Sequence, residues 1–146
     1  MKVCDLPYRR VTLEEIEKVM KDVIARVKNA KSVDEVLAAR QDYLALQTDY
    51  QTAASLSYMR YSINTVDEFY VAEKDYYDEI GPAAYNLKIE YEEALLDSPF
   101  RAELEKALLP LLFKAFEVER KTMSPEIIED MVEENKLVSE YSQLMA

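Results

Sequence analysis

The sequence predicts an all-α fold, an antiparallel helical bundle of about five to six helices, some of them long and kinked. Its 146 residues include a single glycine, whereas tight hairpins between strands depend on glycine at positive φ. Apolar residues recur at gaps of three and four, the spacing of a helix that buries one face. Serine or threonine followed three residues later by glutamate, the capping box that starts helices, occurs repeatedly. A chain of this length can bury a real core, so we expect residues 1–146 to form one helical domain.

The first two helices are predicted from their caps. A Thr12–Glu15 capping box precedes an apolar stripe over Leu13–Val27. A Ser32–Glu35 capping box follows, and no glycine or proline interrupts residues 33–63. This run predicts one helix of about thirty residues, roughly 45 Å long. Its predicted apolar stripe consists of Val33, Val36, Leu37, Tyr43, Leu44, Tyr50, Ala54 and Tyr58.

The third helix is predicted to be long and kinked. A Thr65–Glu68 capping box opens it, and Gly81 and Pro82 lie in its middle. Pro82 cannot donate to the carbonyl of Asp78 and crowds that turn. The apolar phase continues through this pair, so we expect one kinked helix rather than two. The residues that predict the continuous face are Phe69, Ala72, Tyr76, Ile80, Ala84, Leu87, Tyr91 and Leu95.

Prolines divide the C-terminal third of the chain. Ser98-Pro99 predicts a new helix, with serine as the cap and proline in the first turn. Pro110 is expected to end or kink this short helix. Ser124-Pro125 repeats the restart signal before a last amphipathic helix, whose pattern reaches Ala146 without a stop signal and suggests a chain that continues. Because all connections are short, we expect neighbouring helices to pack antiparallel.

The charge and cysteine counts limit the partners and the compartment. The 29 acidic and 18 basic side chains give a net charge of −11, which repels phosphate, so we expect no nucleic acid or anionic membrane as a partner. No apolar run approaches the roughly 20 residues that span a bilayer, and the first ten residues lack a secretory pattern. The single cysteine excludes an intrachain disulfide. A cytoplasmic location fits these observations.

The absence of histidine excludes most enzyme chemistry. No histidine occurs in the chain, which removes histidine-based general acid–base catalysis, serine or cysteine nucleophiles paired with histidine, and the usual zinc sites. A metal-dependent enzyme complete within these 146 residues is therefore disfavoured.

Few side chains are candidate nucleophiles or ligands. Cys4 has no histidine to activate it, and the neighbouring Asp5 disfavours its thiolate, so an inert thiol is the more typical interpretation. Carboxylate pairs at Glu14–Glu17, Glu90–Glu93 and Glu126–Glu129 could hold a divalent cation, because each pair shares a helical face. Among 29 acids such spacing arises by chance, and a solvated face is the usual explanation. We therefore assign no catalytic, cofactor-binding or metal-binding residue.

The eleven tyrosines are the least ordinary feature of the composition. Tyr58 and Tyr61 lie close together, and Tyr70, Tyr76 and Tyr77 crowd one predicted helix. Each ring could pack at the edge of the core with its hydroxyl in water. Together the rings could instead line a peptide channel or an interface. Both interpretations stay open from the sequence.

Several long stretches resemble one family. The segments TVDEFYVAEKDYYDEIGP (65–82), ALLDSPFRAELE (94–105) and KTMSPEIIEDMVEENKLVSEYSQLMA (121–146) resemble the oligoendopeptidase F group of zinc metallopeptidases, relatives of thimet oligopeptidase. The opening DLPYRR (5–10) is similar to the Pro-Tyr-Arg segment at the start of these enzymes. The resemblance covers essentially the whole chain, although none of these stretches is a catalytic signature.

The resemblance implies the N-terminal lobe of a longer, almost wholly helical peptidase. In this family two lobes enclose a channel for short peptides, and an H-E-x-x-H helix with a downstream glutamate holds zinc in the C-terminal part. These residues have no counterpart here, so the resemblance implies that this chain is a wall and gate of the channel and is inactive alone. The implied partners are the missing C-terminal catalytic domain with its zinc and short peptide substrates; an exposed apolar face would also allow self-association.

A free-standing helical interaction module without catalysis is the alternative, because the caps and stripes fit it equally well. Such a module predicts a monodisperse chain without a large exposed apolar patch. A lobe separated from its enzyme would expose one, or would self-associate to cover it.

Overall fold

A computed structural model describes residues 6–122 and 128–145, and every regular element in these residues is an α-helix. The all-α prediction is confirmed. The six helices are α1 (Leu13–Asn29), α2 (Val33–Ile63), α3 (Glu68–Leu96), α4 (Arg101–Leu108), α5 (Pro110–Thr122) and α6 (Ile128–Met145).

Helices α1, α2 and α3 each contact the other two, with chain neighbours antiparallel, and we call this group the α1–α3 layer. At one end of the layer Tyr43 of α2 stacks on Tyr91 of α3, with ring centroids 4.2 Å apart. Further along α2, Tyr50 faces Tyr77 of α3, with ring centroids 5.8 Å apart. Residue numbers therefore increase along α2 in the direction in which they decrease along α3. The two helices run antiparallel, as expected for helices joined by a short connection. The remaining helices attach mainly through α3, which contacts α5 and α6 as well as α1 and α2.

The predicted caps are confirmed in part. The Thr12–Glu15 capping box is complete, with both reciprocal hydrogen bonds present. Ser32 accepts from the Glu35 N–H at 3.3 Å, but the Glu35 carboxylate accepts from the Lys31 N–H at 2.8 Å instead of closing the box.

The predicted Thr65–Glu68 capping box is wrong, because α3 starts two residues later, with Asp67 as its N-cap. The Asp67 side chain accepts from the N–H groups of Phe69 and Tyr70, each at 3.0 Å. A carboxylate that satisfies two free backbone donors is a strong cap. The helix therefore begins at Glu68.

The prediction that α3 continues through its proline is confirmed. One helix runs from Glu68 to Leu96 with Pro82 inside it, and Gly81 precedes the proline without a positive φ. Glycine suits this position because a proline ring clashes with the Cβ of the preceding residue when that residue is helical.

Ser98-Pro99 and Pro110 correctly predicted where the helices are interrupted, but the predicted first residue of α4 was wrong. Ser98 accepts from the Phe100 N–H at 3.2 Å and forms a turn, so α4 begins only at Arg101 and leaves Pro99 outside the helix. At the other end Leu109 adopts a φ of 97°. Pro110 then opens α5, where its missing N–H costs nothing. The Ser124-Pro125 signal lies outside the described residues.

The core is centred on α3, and the predicted stripes of α2 and α3 are only partly right. Tyr58 and Phe69 were expected to face inward, yet they are 62% and 52% exposed. Glu73 and Tyr77 are buried where Ala72 and Tyr76 were expected to be the inner residues. Because α3 contacts four other helices, the face that it buries changes along its length. The largest fully buried residues are Tyr91, Phe113, Leu95, Leu104, Val11, Val23, Val27, Val36 and Pro82.

Candidate functional site: a cleft between two buried carboxylates

A carboxylate on α3 holds the segment that leads into α1. Glu73 has a side chain only 5% exposed. The single N–H of Arg10 Nε is shared between both oxygens of Glu73, at 3.1 Å from each, and Arg10 Nη2 donates to Oε1. Glu73 also accepts the Tyr8 hydroxyl. Arg60 reinforces this end of the layer, because its Nη2 donates to the carbonyl of Leu6 at 2.6 Å. We call Tyr8, Arg10 and Glu73, with the two tyrosines described next, the N-terminal clamp.

Two tyrosine hydroxyls bind the backbone of the same segment. The N–H of Val11 donates to Tyr77 Oη and the N–H of Leu13 donates to Tyr76 Oη, each at 3.0 Å. These bonds satisfy backbone donors that precede or begin α1, where no helical acceptor is available. Tyr76 and Tyr77 therefore act in the fold, and their hydroxyls are not simply in water.

The other tyrosines that the sequence singled out do not form one surface. Tyr58 is largely exposed, whereas Tyr61 is 3% exposed and has the Lys74 ammonium 5.2 Å from its ring centroid. Tyr70 lies at the start of α3, beside Phe69. The predicted aromatic lining is therefore not confirmed for this set.

The charges in the clamp compensate one another. Burial alone would raise the pKa of Glu73, but the hydrogen bonds from Arg10 and Tyr8 outweigh it, so the net pKa lies below the usual value. Burial, followed by the hydrogen bond to Glu73, raises the pKa of Tyr8. At neutral pH the clamp therefore holds a carboxylate, a guanidinium and a neutral phenol, a stable arrangement without a reactive group.

A second buried carboxyl lies where α3 meets α5. Glu92 has a side chain 4% exposed, and its Oε1 lies 3.1 Å from the Lys88 ammonium. Lys88 also donates to Glu119 of α5 at 2.9 Å, and the Tyr85 hydroxyl donates to the same carboxylate at 3.2 Å. We call Tyr85, Lys88, Glu92 and Glu119 the α3–α5 cluster.

The pKa values of the two acids in the α3–α5 cluster are shifted in opposite directions. Burial, and then the hydrogen bond shared with Glu119, raise the pKa of Glu92 to about 8. The same hydrogen bond is the main cause that lowers the pKa of Glu119. Glu92 Oε2 is buried without a donor facing it in the described part of the chain. The raised pKa favours the protonated form of Glu92 beside the ionised Glu119 carboxylate.

Pro82 leaves the carbonyl of Asp78 without its helical hydrogen bond, and a side chain of α6 donates to this carbonyl instead. Pro82 has no N–H to donate to the carbonyl of Asp78, and the side-chain amide of Asn135 donates to this carbonyl at 3.2 Å. A partly buried carbonyl without a donor loses a hydrogen bond that folding would otherwise keep. The break in the helical ladder is therefore also an attachment point for α6.

Between the two buried carboxyl groups lies a cleft of about 320 Å³, enclosed by α1, α2 and α3. Its apolar lining comes from Ile16 and Met20 of α1, Leu46 of α2 and Ala84 of α3. Polar side chains and three tyrosine rings complete the lining: Tyr43, Gln47, Tyr50, Gln51, Tyr85 and Lys88. A concave, mostly apolar surface with a few polar groups is typical of a ligand site.

The carboxylate pairs noted in the sequence make ordinary surface contacts where the structure describes them. Glu17 binds Lys21 at 2.6 Å, and Glu90 accepts from Asn86 at 3.2 Å. Cys4, Glu126 and the side chain of Glu129 lie outside the described residues.

The residues present do not fit a zinc ion. The sequence has no histidine. Within residues 6–122 and 128–145, no group of three or more cysteine, aspartate or glutamate side chains could hold a metal.

None of the helices in the described ranges combines the length and the apolar character that crossing a bilayer requires.

Solved structures of peptidases share this arrangement of helices. A protein described as oligoendopeptidase F matches with a TM-score of 0.94 and 37% identity over 99% of this chain. PZ peptidase A, solved with an inhibitor, matches with a TM-score of 0.91 and 37% identity over 96%. An oligoendopeptidase F from Bacillus anthracis matches with a TM-score of 0.92 and 36% identity over 97%. The fold is thus that of one domain of a helical peptidase.

The family is that of the peptidase M3 N-terminal domain, which matches residues 4–123, and the chain belongs to it. The chain covers 26%, 25% and 26% of the three solved chains, and so spans about a quarter of their length. No match is found among the curated proteins. The resemblance noted from the sequence is confirmed.

Sequence reasoning missed the two buried carboxyl groups. Glu73 shares a helical face with Tyr76 and Tyr77 at gaps of three and four, which is a weak signal for burial. Glu92 has no such signal, because it stands among Glu90 and Glu93 and only the position of α5 distinguishes it.

Proposed function

We propose that this chain forms a wall and gate of the peptide channel in a zinc-dependent oligoendopeptidase and is inactive without the catalytic part. The observation that carries the proposal is its likeness, at 37% identity over 99% of its length, to about a quarter of an oligoendopeptidase F. The family is one of zinc metallopeptidases, and no histidine here could serve as a ligand. The partner chain or segment must therefore bring the metal and the base that activates water.

Exposed apolar residues on α6 support a partner that covers them. Leu137, Tyr141 and Leu144 recur at gaps of four and three and are 59%, 64% and 85% exposed. Val138 beside them is also exposed. A stripe of large apolar side chains at helical spacing normally faces another element. We infer that the catalytic part is the element that covers this stripe. In the separated chain, a second copy of the chain would cover it instead.

The same stripe makes the free-standing interaction module the weaker alternative. That alternative expects a surface without a contiguous apolar patch. It would regain support if the purified chain stayed monomeric at high concentration in size-exclusion chromatography and bound no dye that detects apolar surface.

Reconstitution tests the proposal. The purified chain is mixed with the remaining three quarters of a related oligoendopeptidase F, and cleavage of a quenched fluorescent peptide is measured. We expect cleavage only in the mixture, abolished by a chelator. The double variant Leu137→Asp with Leu144→Asp should weaken reconstitution, whereas Ala45→Asp on the exposed side of α2 should not. Chelator-sensitive cleavage by this chain alone, or a stable but inactive mixture, would contradict the proposal.

A further inference from the structure

We propose that the cleft between α1, α2 and α3 is a binding site for an aromatic side chain of an extended peptide and the backbone next to it. The choice of a peptide as ligand rests on the proposed function, but the site is argued from its own chemistry. Because it lies wholly within this chain, it can be tested without reconstituting an enzyme.

The size of the cleft limits its occupant. Ligand pockets in proteins typically range from about 300 to 1,000 Å³. At about 320 Å³ this cleft lies at the lower end, which suits one large side chain with its adjoining peptide groups. A folded domain would be too large. The apolar floor from Ile16, Met20, Leu46 and Ala84 favours a ring or a branched chain over a charged group.

The polar groups that line the cleft are not used by the fold. Within residues 6–122 and 128–145, the structure gives no hydrogen bond to the amides of Gln47 and Gln51 or to the hydroxyls of Tyr43 and Tyr50. A glutamine amide offers one carbonyl acceptor and two N–H donors. Two such amides match the alternating N–H and C=O groups of an extended peptide, which needs both kinds of partner when it leaves water.

The tyrosine rings favour an aromatic ligand side chain. Tyr43 is held by stacking on Tyr91 at 4.2 Å, and Tyr50 is held against Tyr77 at 5.8 Å. Rings fixed in this way lose little freedom when a further ring packs against them. Edge-to-face or offset aromatic pairs add roughly 0.5–1.5 kcal/mol beyond the area that they bury.

The charge balance of the lining favours a neutral ligand. Lys88 is the one charged side chain among the lining residues, and it is already bound to Glu92 at 3.1 Å and to Glu119 at 2.9 Å. An anionic ligand would have to compete with two carboxyl groups, and a cationic ligand would meet an ammonium. A neutral aromatic residue has neither cost.

A titration of the 146-residue chain with capped dipeptide amides tests the site. The probe is N-acetyl-phenylalanyl-alanine amide, and the comparison ligands carry alanine or glutamate in place of phenylalanine. Binding is followed by backbone amide shifts in two-dimensional NMR. We expect the largest shifts around residues 43–51 and 81–88, and an affinity at least about tenfold higher for the phenylalanine ligand, since a buried ring outweighs a methyl group.

Variants decide whether the cleft is the site. Ala84→Leu fills the cleft with a residue that suits a helix and should weaken binding at least about tenfold. Ala45→Leu makes the same change on the exposed side of α2 and should leave binding unchanged. The double variant Gln47→Ala with Gln51→Ala, which removes no buried group, should weaken binding severalfold while circular dichroism confirms the fold. Unchanged affinity in both cleft variants, shifts confined to α6, or equal binding of the alanine ligand would overturn the proposal.

Discussion

The α1–α3 layer and the α5–α6 end of the molecule differ in how completely they satisfy their own side chains. In the layer, Tyr91 is fully buried and its hydroxyl accepts from Arg40 at 3.2 Å. At the other end Leu111, Val118 and Leu144 are 75%, 60% and 85% exposed. The middle of the layer satisfies its own side chains, although its α2–α3 connection exposes Ile63 and Val66, whereas α5 and α6 expose apolar side chains along their length. If the proposed function holds, stability comes mainly from the layer and assembly mainly from α5 and α6.

Truncation of the buried ring of Tyr91 should give the largest loss of stability. Comparing it with truncation of an exposed residue on α6 tests the difference between the two regions. Tyr91→Ala removes a fully buried ring and its stacking on Tyr43, so we expect a loss of about 3–5 kcal/mol in the free energy of unfolding, measured by urea titration. Leu144→Ala removes a mostly exposed side chain and should change stability by less than about 0.5 kcal/mol. A comparable loss at Leu144 would show that this end is covered in solution.

Removal of the clamp carboxylate should have the next largest effect. Glu73→Gln keeps the size of the side chain but removes the charge that Arg10 and Tyr8 bind, so we expect a loss of about 2 kcal/mol. Hydrogen exchange at the amides of Val11 and Leu13 should accelerate as the segment loosens. Glu14→Gln changes an exposed carboxylate and should leave exchange at both amides as it was. Unchanged exchange in Glu73→Gln would mean that the tyrosine hydroxyls hold the segment by themselves.

The α3–α5 cluster predicts a loss of stability toward alkaline pH. Glu92 has a folded pKa of about 8, above that of an unfolded glutamate, so the folded state keeps a proton that the unfolded chain has released. The stabilisation that Glu92 contributes is therefore complete below the ordinary glutamate pKa of 4.5 and is lost as the pH rises through 8, by something on the order of a few kcal/mol. Urea titrations between pH 5 and 8 measure it.

The variant Glu92→Gln isolates this titration, because an amide keeps a neutral donor in the same place. Its stability should stay flat over the pH range in which the parent chain declines. A decline of equal slope in the variant would assign the pH dependence to another group.

Weakening the attachment of α6 should give the smallest loss of stability among these variants. Asn135→Leu removes the donor that replaces the missing N–H of Pro82, and we expect a loss of about 1 kcal/mol. Amide exchange in α6 should accelerate while the α1–α3 layer keeps its protection. Asn86→Leu alters an exposed amide contact with Glu90 and serves as the matched control. If exchange in α6 is the same in both variants, apolar contacts alone hold this helix.

Local signals predicted most of the helices, since caps and apolar spacing act over one or two turns. The Thr12–Glu15 box and the continuous α3 through Pro82 are confirmed. The start of α3 was misplaced because Thr65 and Asp67 both offer capping oxygens, and Asp67 satisfies two backbone donors. The inner faces of α2 and α3 were misassigned at Tyr58 and Phe69 because a helix with several neighbours has no single buried stripe.

The sequence by itself determined that the chain is helical, that it lacks histidine, and that it resembles the N-terminal lobe of a peptidase. Only the tertiary structure decided that Glu73 binds Tyr8, 65 positions away, that burial raises the pKa of Glu92, and that a cleft opens between α1, α2 and α3. The physical reason is distance along the chain. Helix caps depend on neighbours three or four residues apart, whereas burial and pKa depend on side chains that only folding brings together.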